Sequence, residues 1–356
     1  PLPSEKQKGA MVMAGTMLSQ GRLRFRARQV GEDTALAQIV KMVHEAQGSK
    51  APVQRTVDRA ALIFVPVVAC VAVLTFVAWV VFGGFDCVPQ GIISAVAVLV
   101  VACPCAMGLA TPTALMVGIG KAAEKGILIK DATALEQLRR IDTMVVDKTG
   151  TITIPNSNVD FTKTSSMPLE ERETIKPNAS EAMTMLTDEG IEVHMMSGDT
   201  PEAAAYWAKK AGITHYMSKA LPQDKENLVL NLQEQGHKVA MVGDGINDTQ
   251  ALALADVSIA MGKGTDVAMD VAQITLMTDD LMALPEAVAM SRHTVKMIYQ
   301  NLFWAFIYNI VCIPLAAGVL HLFGSDFQIT PMWASALMAL SSISVVLNSL
   351  RLKYAI

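Results

Sequence analysis

The amino-acid sequence predicts an α/β domain, built on a parallel sheet, inserted into an α-helical transmembrane bundle. Three observations carry that expectation. Four runs without a charged residue, 60–85, 87–120, 297–325 and 327–350, each reach the ~20 apolar residues that a bilayer-crossing helix needs. Between the second and third runs, short Val/Ile/Met stretches alternate with amphipathic ones, the pattern of strands covered on both faces by helices. Finally, 52% of the residues are hydrophobic, more than an ordinary soluble enzyme carries.

The membrane runs orient themselves by charge. The connectors "FDCVPQ" and "HLFGSDFQITP" contain no Lys or Arg, whereas the opposite ends carry Lys50, Arg55, Arg59, Lys121, Lys125, Arg292, Lys296, Arg351 and Lys353. The positive-inside rule places those ends, both termini and the segment between the helix pairs in the cytoplasm of a multi-pass membrane protein. A net charge of −4 gives no reason to expect nucleic acid as a partner. The opening "PLPSEKQKGA" has no basic stretch followed by an apolar one, so no signal peptide is read there. Five cysteines without a C-x-x-C pair read as reduced thiols or soft ligands, not as a secreted disulfide scaffold.

In the α/β segment, "TMVVD", "IEVHMMSGD", "HKVAMVGDG" and "VSIAMG" read as strands, and "SEAMTMLTDEG", "PEAAAYWAKKAG", "PQDKENLVLNLQEQG" and "NDTQALALA" as helices. Asp147, Asp199 and Asp244 follow apolar strands, and the carboxyl ends of parallel strands are where such folds collect their chemistry. Residues 154–177 are polar and aperiodic and read as a loop. Near the start, "GRLRFRARQ" alternates Arg with Leu23, Phe25 and Ala27 and reads as a half-buried strand with one basic face.

The stretch "VVDKTGTIT" sets Asp147 at a strand end before Lys148, Thr149 and a glycine. A carboxylate there can attack phosphorus and form an acyl phosphate, while the glycine lets backbone N–H groups approach the phosphoryl oxygens. Asp244 and Asp248 in "GDGIND" can hold Mg²⁺, a hard cation that prefers carboxylates and water. Asn247 can hydrogen-bond the phosphate, the Lys225 ammonium can neutralise it, and the Ser197 hydroxyl can donate to it.

These segments, "DKTGTIT", "SGD", "LPQDK" and "MVGDGINDTQALALADVSIAMG", resemble the phosphorylation domain of P-type ATPases, itself similar to haloacid-dehalogenase-type, Rossmann-like phosphatases. The resemblance implies that Asp147 is autophosphorylated from ATP and that Mg²⁺ is held by Asp147, Asp244 and the Thr149 carbonyl. It further implies that Lys225 contacts the phosphoryl group and that Lys148, Ser197, Gly198, Asp199, Asn247 and Asp248 complete the site. Ser197 stands where the family usually has Thr, and Thr249-Gln250 where it has Ala-Pro.

Within the second membrane run, Cys103-Pro104-Cys105 sets two thiols around a helix breaker. Residues two apart on a regular helix point in nearly opposite directions. Pro104 lacks an N–H and clashes with the carbonyl four residues back, so it unwinds the helix, frees the backbone of Val100 and lets the thiols converge near the bilayer midplane. Thiolates select soft ions, Cu(I) above all. Tyr308 and Asn309 on the third membrane helix, and Met338 and Ser342 four apart on the fourth, supply further candidate ligands. Cys70 and Cys312 read as small hydrophobes.

The Cys-Pro-Cys, Tyr-Asn and Met-x-x-x-Ser set resembles the copper(I)-exporting class of heavy-metal P-type ATPases. The zinc/cadmium class carries a Lys and an Asp in the last two membrane helices, and neither "LFWAFIYNIVCIPLAAGVL" nor "WASALMALSSISVVLNSL" contains either residue. Asp58, at the cytoplasmic end of the first helix, matches a proposed metal-entry position, with pairing to Arg55 or Arg59 as the alternative. The amphipathic "KAAEKGILIKDATALEQLRRID" links the metal helix to Asp147.

The domains implied are a partial, β-rich actuator domain at 1–49, a helix pair at 50–125, the phosphorylation domain at 126–290 and a second helix pair at 291–356. The family's nucleotide-binding domain belongs between "DKTGT" and "SGD", where the 154–177 stretch is too short for a domain. Its dephosphorylation loop and earlier membrane helices belong upstream of Pro1. The function implied is ATP-driven export of Cu(I) or Ag(I) across the plasma membrane, with Mg²⁺ as cofactor, the lipid bilayer as surroundings and a cytosolic copper chaperone as donor. A membrane-anchored phosphatase and a zinc/cadmium transporter are the alternatives.

Overall fold

The structure is a computed structural model that describes residues 51–156, 168–244, 246–262, 271–325 and 327–352, together with 12, 22, 24–27 and 30. Most of the expected actuator segment lies outside the described residues. Residues 24–27 are exposed and not part of a strand, which corrects the reading of "GRLRFRARQ". A strand persists through a hydrogen-bonded neighbour, and the described residues give this one none.

Four helical stretches are long and apolar enough to cross a membrane. Helix α1 (Pro52–Gly83) is followed by α2 (Val88–Val101) and α3 (Cys105–Glu124), which are separated by a break at 102–104. Prolines 66 and 112 lie inside α1 and α3 without ending them, so Pro104 interrupts its helix where other prolines do not. The Val100 carbonyl is not left free, as the sequence suggested. It accepts the Cys103 N–H at 3.3 Å, because the chain tightens by a shorter-range bond as it leaves α2.

The α/β domain begins at the end of α3 with β1 (Ile127–Ile129) and α4 (Ala132–Leu138), so the linking stretch holds a strand as well as helix. Strand β2 (Thr143–Asp147) is next, then β3 (Thr153–Pro155), α5 (Leu169–Arg172) and β4 (Glu173–Ile175). Strands β3 and β4 pair antiparallel, so the ends of the expected loop are strands. Their ladder is too short to leave a periodic signal.

Helix α6 (Ala179–Asp188), β5 (Glu192–Met196), α7 (Pro201–Ala211), β6 (His215–Met217) and α8 (Pro222–Glu234) follow. After them come β7 (Val239–Gly243), α9 (Thr249–Leu254), β8 (Val257–Met261) and β9 (Ile274–Leu276). The main sheet has seven strands in the order β1-β9-β8-β7-β2-β5-β6. All neighbours are parallel except β1 with β9.

Helix α10 (Ala283–Ala317) starts 14 residues before its charge-free run. Its first turns pack on the α/β domain: the Ser291 hydroxyl donates to the Leu135 carbonyl at 2.5 Å, and Arg292 pairs with Glu189 at 3.0 Å. At 1.5 Å per residue one rigid rod of roughly 50 Å thus runs from the α/β domain into the membrane bundle. Helix α11 (Pro331–Leu350) completes it. One apolar core is continuous from Ala106, Ala110, Ala114 and Ile119 on α3 through Ile127, Leu135 and Met144 to Val288 and Ile298 on α10. The α/β domain and the bundle therefore share packed side chains rather than a loose tether.

Candidate functional site

Two sites stand at the ends of that continuous core. The first is at the carboxyl end of the central strands. Asp147 closes β2, between β7 and β5, and is 7% exposed. Lys225, on the first turns of α8, donates from Nζ to Asp147 Oδ1 and to Asp248 Oδ1, both at 2.6 Å. Helix α8 is started there by Pro222 and by the Asp224 carboxylate, which accepts the Leu221 N–H at 2.8 Å.

Asp147, Asp244 and Asp248 each offer an oxygen within 4.8 Å of the others. Glycine makes this crowding feasible. Gly150 has φ +76°, and a Cβ on it would sit 1.5 Å from Asp244 Oδ2. Burial first, then the Asp248 charge, pushes the Asp147 carboxyl up to about 7 against the pull of Lys225. Burial and Asp248 also raise Asp244. Burial works against the Lys225 ammonium, but the Asp147 and Asp248 charges and hydrogen bonds outweigh it and hold its pKa above the ordinary lysine value. The Lys176 charge also pulls Asp244 down, but burial outweighs it, so the cluster stays short of positive charge. Three hard oxygen donors in such a cluster suit Mg²⁺.

Ser197 is buried, and its Oγ accepts the Asp199 N–H at 3.1 Å, which leaves the hydroxyl proton to donate elsewhere. Gly198, Asn247 and Thr149 are exposed around the mouth of the site. Lys148 differs from its expected place among the groups on the reacting carboxylate. Its Nζ lies 2.5 Å from Glu173 and 2.6 Å from Asp199, and the residue is 1% exposed. The backbone reverses after β2, so the side chain next to Asp147 leaves on the other side and pins β4 and the Ser-Gly-Asp loop instead. Glu173 was missed because it sits in the aperiodic stretch. Thr151, buried with no hydrogen-bond partner for its hydroxyl, was missed because a lone Thr in a turn carries no distinguishing signal.

The second site is the break between α2 and α3. The helix does open there, and Cys103 and Cys105 come together, with Cα atoms 5.5 Å apart, joined as a disulfide. This corrects the expectation of two reduced thiols: unwinding brings the sulfurs within bonding reach of one another, and a thiolate ligand pair requires that bond reduced. Cys70 and Cys312 are free.

Tyr308 is half-buried against the cluster that contains Val101, Ala102 and Cys312, and Leu337 of α11 packs on the same cluster. Asn309 is 4% exposed with its Oδ1 lacking a partner, and Met338 is 9% exposed. Ser342 is half-buried and Asp58 exposed. Nearer the α/β domain, the Asn301 amide donates to Ala110 O at 3.3 Å and Ser349 Oγ at 2.8 Å, and its oxygen accepts from Asn348 at 2.9 Å. This buried polar clamp ties α3, α10 and α11, and composition gave no hint of it.

Known proteins resemble this chain along nearly all of its length. Residues 159–256 match the haloacid dehalogenase-like hydrolases and residues 1–44 the P-type ATPase actuator domain. Copper-transporting ATPase 1 of Rhizobium meliloti (strain 1021) is 38% identical over 99% of this chain and 55% of its own length. Over nearly its whole length, then, the chain is similar to P-type ATPases.

A copper-exporting P-type ATPase of Legionella pneumophila is 36% identical over 99% of this chain and 62% of its own. The chain thus spans little more than half the length of these curated relatives. The alignment to the Rhizobium protein runs over 455 residues against 356 here, so that relative carries sequence inside the matched span which this chain lacks. Among solved structures, a zinc-transporting PIB-type ATPase in the E2.Pi state superimposes with a TM-score of 0.71 at 25% identity, over 90% of this chain and 68% of that one.

Proposed function

We propose that the protein is an ATP-driven exporter of Cu(I), accepting Ag(I) as its mimic, that works through an aspartyl phosphate on Asp147. The observation that carries the proposal is the buried Asp147–Lys225–Asp248 cluster, joined by one continuous core to a helix break that brings two cysteine sulfurs together.

An Asp147 oxygen attacks the γ-phosphorus of ATP. The new P–O bond forms on the carboxylate as the bond to the bridging oxygen breaks, and ADP leaves with that electron pair. Lys225, 2.6 Å from the attacking carboxylate, offsets the charge on the phosphoryl oxygens, and the Ser197 hydroxyl donates to one of them. Asp147, Asp244 and Asp248 fit Mg²⁺, which when bound supplies charge neutralisation of the phosphoryl group. Water then attacks the phosphorus, the bond to the carboxylate breaks, and Asp147 is restored. Sequence of the kind the longer relatives carry, between β3 and β4, holds the nucleotide in this reading.

For the cargo, the two sulfurs once reduced, the Met338 thioether and the unpartnered Asn309 Oδ1 make a soft, mostly uncharged donor set suited to a monovalent ion. Tyr308 and Ser342 flank it, Asp58 marks the entry end, and a cytosolic copper chaperone delivers the ion. Relatives at 36 and 38% identity are named for copper. The solved structure named for zinc is 25% identical, and the apolar stretches of α10 and α11 offer no Lys or Asp for a divalent ion.

The test is incubation of the chain with labelled inorganic phosphate and Mg²⁺, the reverse of the hydrolysis step, which requires no nucleotide. Acid-stable label that disappears in Asp147→Asn supports the reading, and label of equal size in that variant overturns it. Suppression of the label by Cu(I) but not Zn(II) assigns the cargo; the reverse assigns the zinc class.

A further inference from the structure

A third cluster lies away from both sites, at the amino end of the sheet. Glu192 and His194 are two apart on β5 and share a face, and His194 is directly opposite His215 in the parallel β5–β6 register. The register also aligns Glu192 with Thr143, at the start of β2, and Met196 with Asp147, at its end, so the cluster is four residues, roughly 13 Å, from the level of the phosphorylation site.

Glu192 Oε1 is 2.8 Å from His194 Nε2 and 3.4 Å from His215 Nε2. The two imidazoles stack with centroids 5.0 Å apart, and one ligand atom of each of the three residues lies within 4.8 Å of the others. His194 Nε2 is buried and makes no directed hydrogen bond, although the carboxylate oxygen is so near. The two atoms sit side by side rather than in line as donor and acceptor, the relation of two ligands on one ion. An open cleft of about 270 Å³, lined by His194, Thr214 and His215, gives access. The neighbouring His237 has its Nδ1 3.1 Å from Asp142, which leaves three protein ligands among the described residues.

We infer that Glu192, His194 and His215 form a binding site for a divalent borderline cation of the Zn²⁺ class, separate from the soft cargo site and from the hard Mg²⁺ cluster. Two imidazole nitrogens and one carboxylate oxygen are the donor set such ions favour, and spacings near 3 Å are what ligands about 2.0–2.2 Å from a shared ion require. Soft monovalent copper prefers sulfur, so the two transition-metal sites discriminate by donor type. The ion would tie β5 to β6 upstream of the point where Ser197 N–H donates to Met217 O at 3.0 Å, and so steady the strand that presents the Ser-Gly-Asp loop.

The experiment uses the whole chain in lipid nanodiscs, as the Cys103→Ser/Cys105→Ser variant, with excess Mg²⁺ to fill the carboxylate cluster. Zn²⁺ is titrated against a chromophoric chelator, and Co²⁺ is used as an absorbing substitute. The expected result is one equivalent of Zn²⁺ that is lost in His215→Ala, a side chain exposed enough to be replaced without unfolding the domain. In Glu192→Gln the same equivalent binds about tenfold or more weakly, and the Co²⁺ absorption changes in both variants. Unchanged stoichiometry and affinity in both variants, or no Zn²⁺ bound by the parent in competition with the chelator, overturns the assignment.

Discussion

The carboxylate cluster at the end of β2 and the Cys-Pro-Cys break between α2 and α3 solve opposite problems. The first gathers like charges where burial penalises them, and holds them with one lysine that reaches two carboxylates at 2.6 Å. The second brings two uncharged sulfurs together within an apolar helical bundle, and makes room for them by giving up helix at 102–104. Charge and backbone geometry are thus spent in different places, and the packing of α3 and α10 on β1, β2 and α4 joins them. Variants that remove one side and spare the other sharpen this contrast; a variant that damages both would break it.

The largest effect is expected from Asp147→Asn, which removes the nucleophile: label from inorganic phosphate falls to background while Cu(I) binding to the reduced chain is kept. The mirror image is Cys103→Ser with Cys105→Ser, which abolishes tight Cu(I) binding, read by competition with a Cu(I) chelator, and leaves phosphate labelling intact. Loss of both functions in either variant would show that the sites are not separable.

Glu173→Gln removes one of the two carboxylates that hold the buried Lys148 ammonium. Asp199 still pairs the ammonium at 2.6 Å, so the loss is that of one charge-assisted hydrogen bond, about 2 kcal/mol, seen as a lowered midpoint of thermal inactivation for phosphate labelling. Gly150→Ala forces a Cβ into Asp244 at a backbone angle that favours glycine. Strain of about 1–3 kcal/mol predicts a Mg²⁺ requirement raised roughly tenfold or more, with Cu(I) binding unchanged. Asn301→Ala, which empties the polar clamp among α3, α10 and α11, is expected to lower bundle stability by about 1 kcal/mol, measured as a fall in the thermal midpoint in nanodiscs.

The carboxylate cluster was legible because its residues are concentrated in contiguous motifs at strand ends: Asp147 in one segment, Asp244 and Asp248 in another, Lys225 beside a helix start. The role of Lys148 was not legible, because adjacency to Asp147 in sequence says nothing of which side of a reversing chain the side chain leaves. The helix break was legible from Pro104, yet the bond between the sulfurs was not, since proline dictates unwinding and not where unwound side chains end.

By itself the sequence determined the membrane runs, the order of the longer strands and helices and the residue types at the two main sites, because hydrophobic period and charge are properties of neighbouring residues. Only the tertiary structure decided that Glu173 holds Lys148, that Asn301 clamps three helices and that Glu192, His194 and His215 converge. Each of those contacts joins residues from separate elements, and their meeting depends on sheet register and helix packing, which no local stretch of chain encodes.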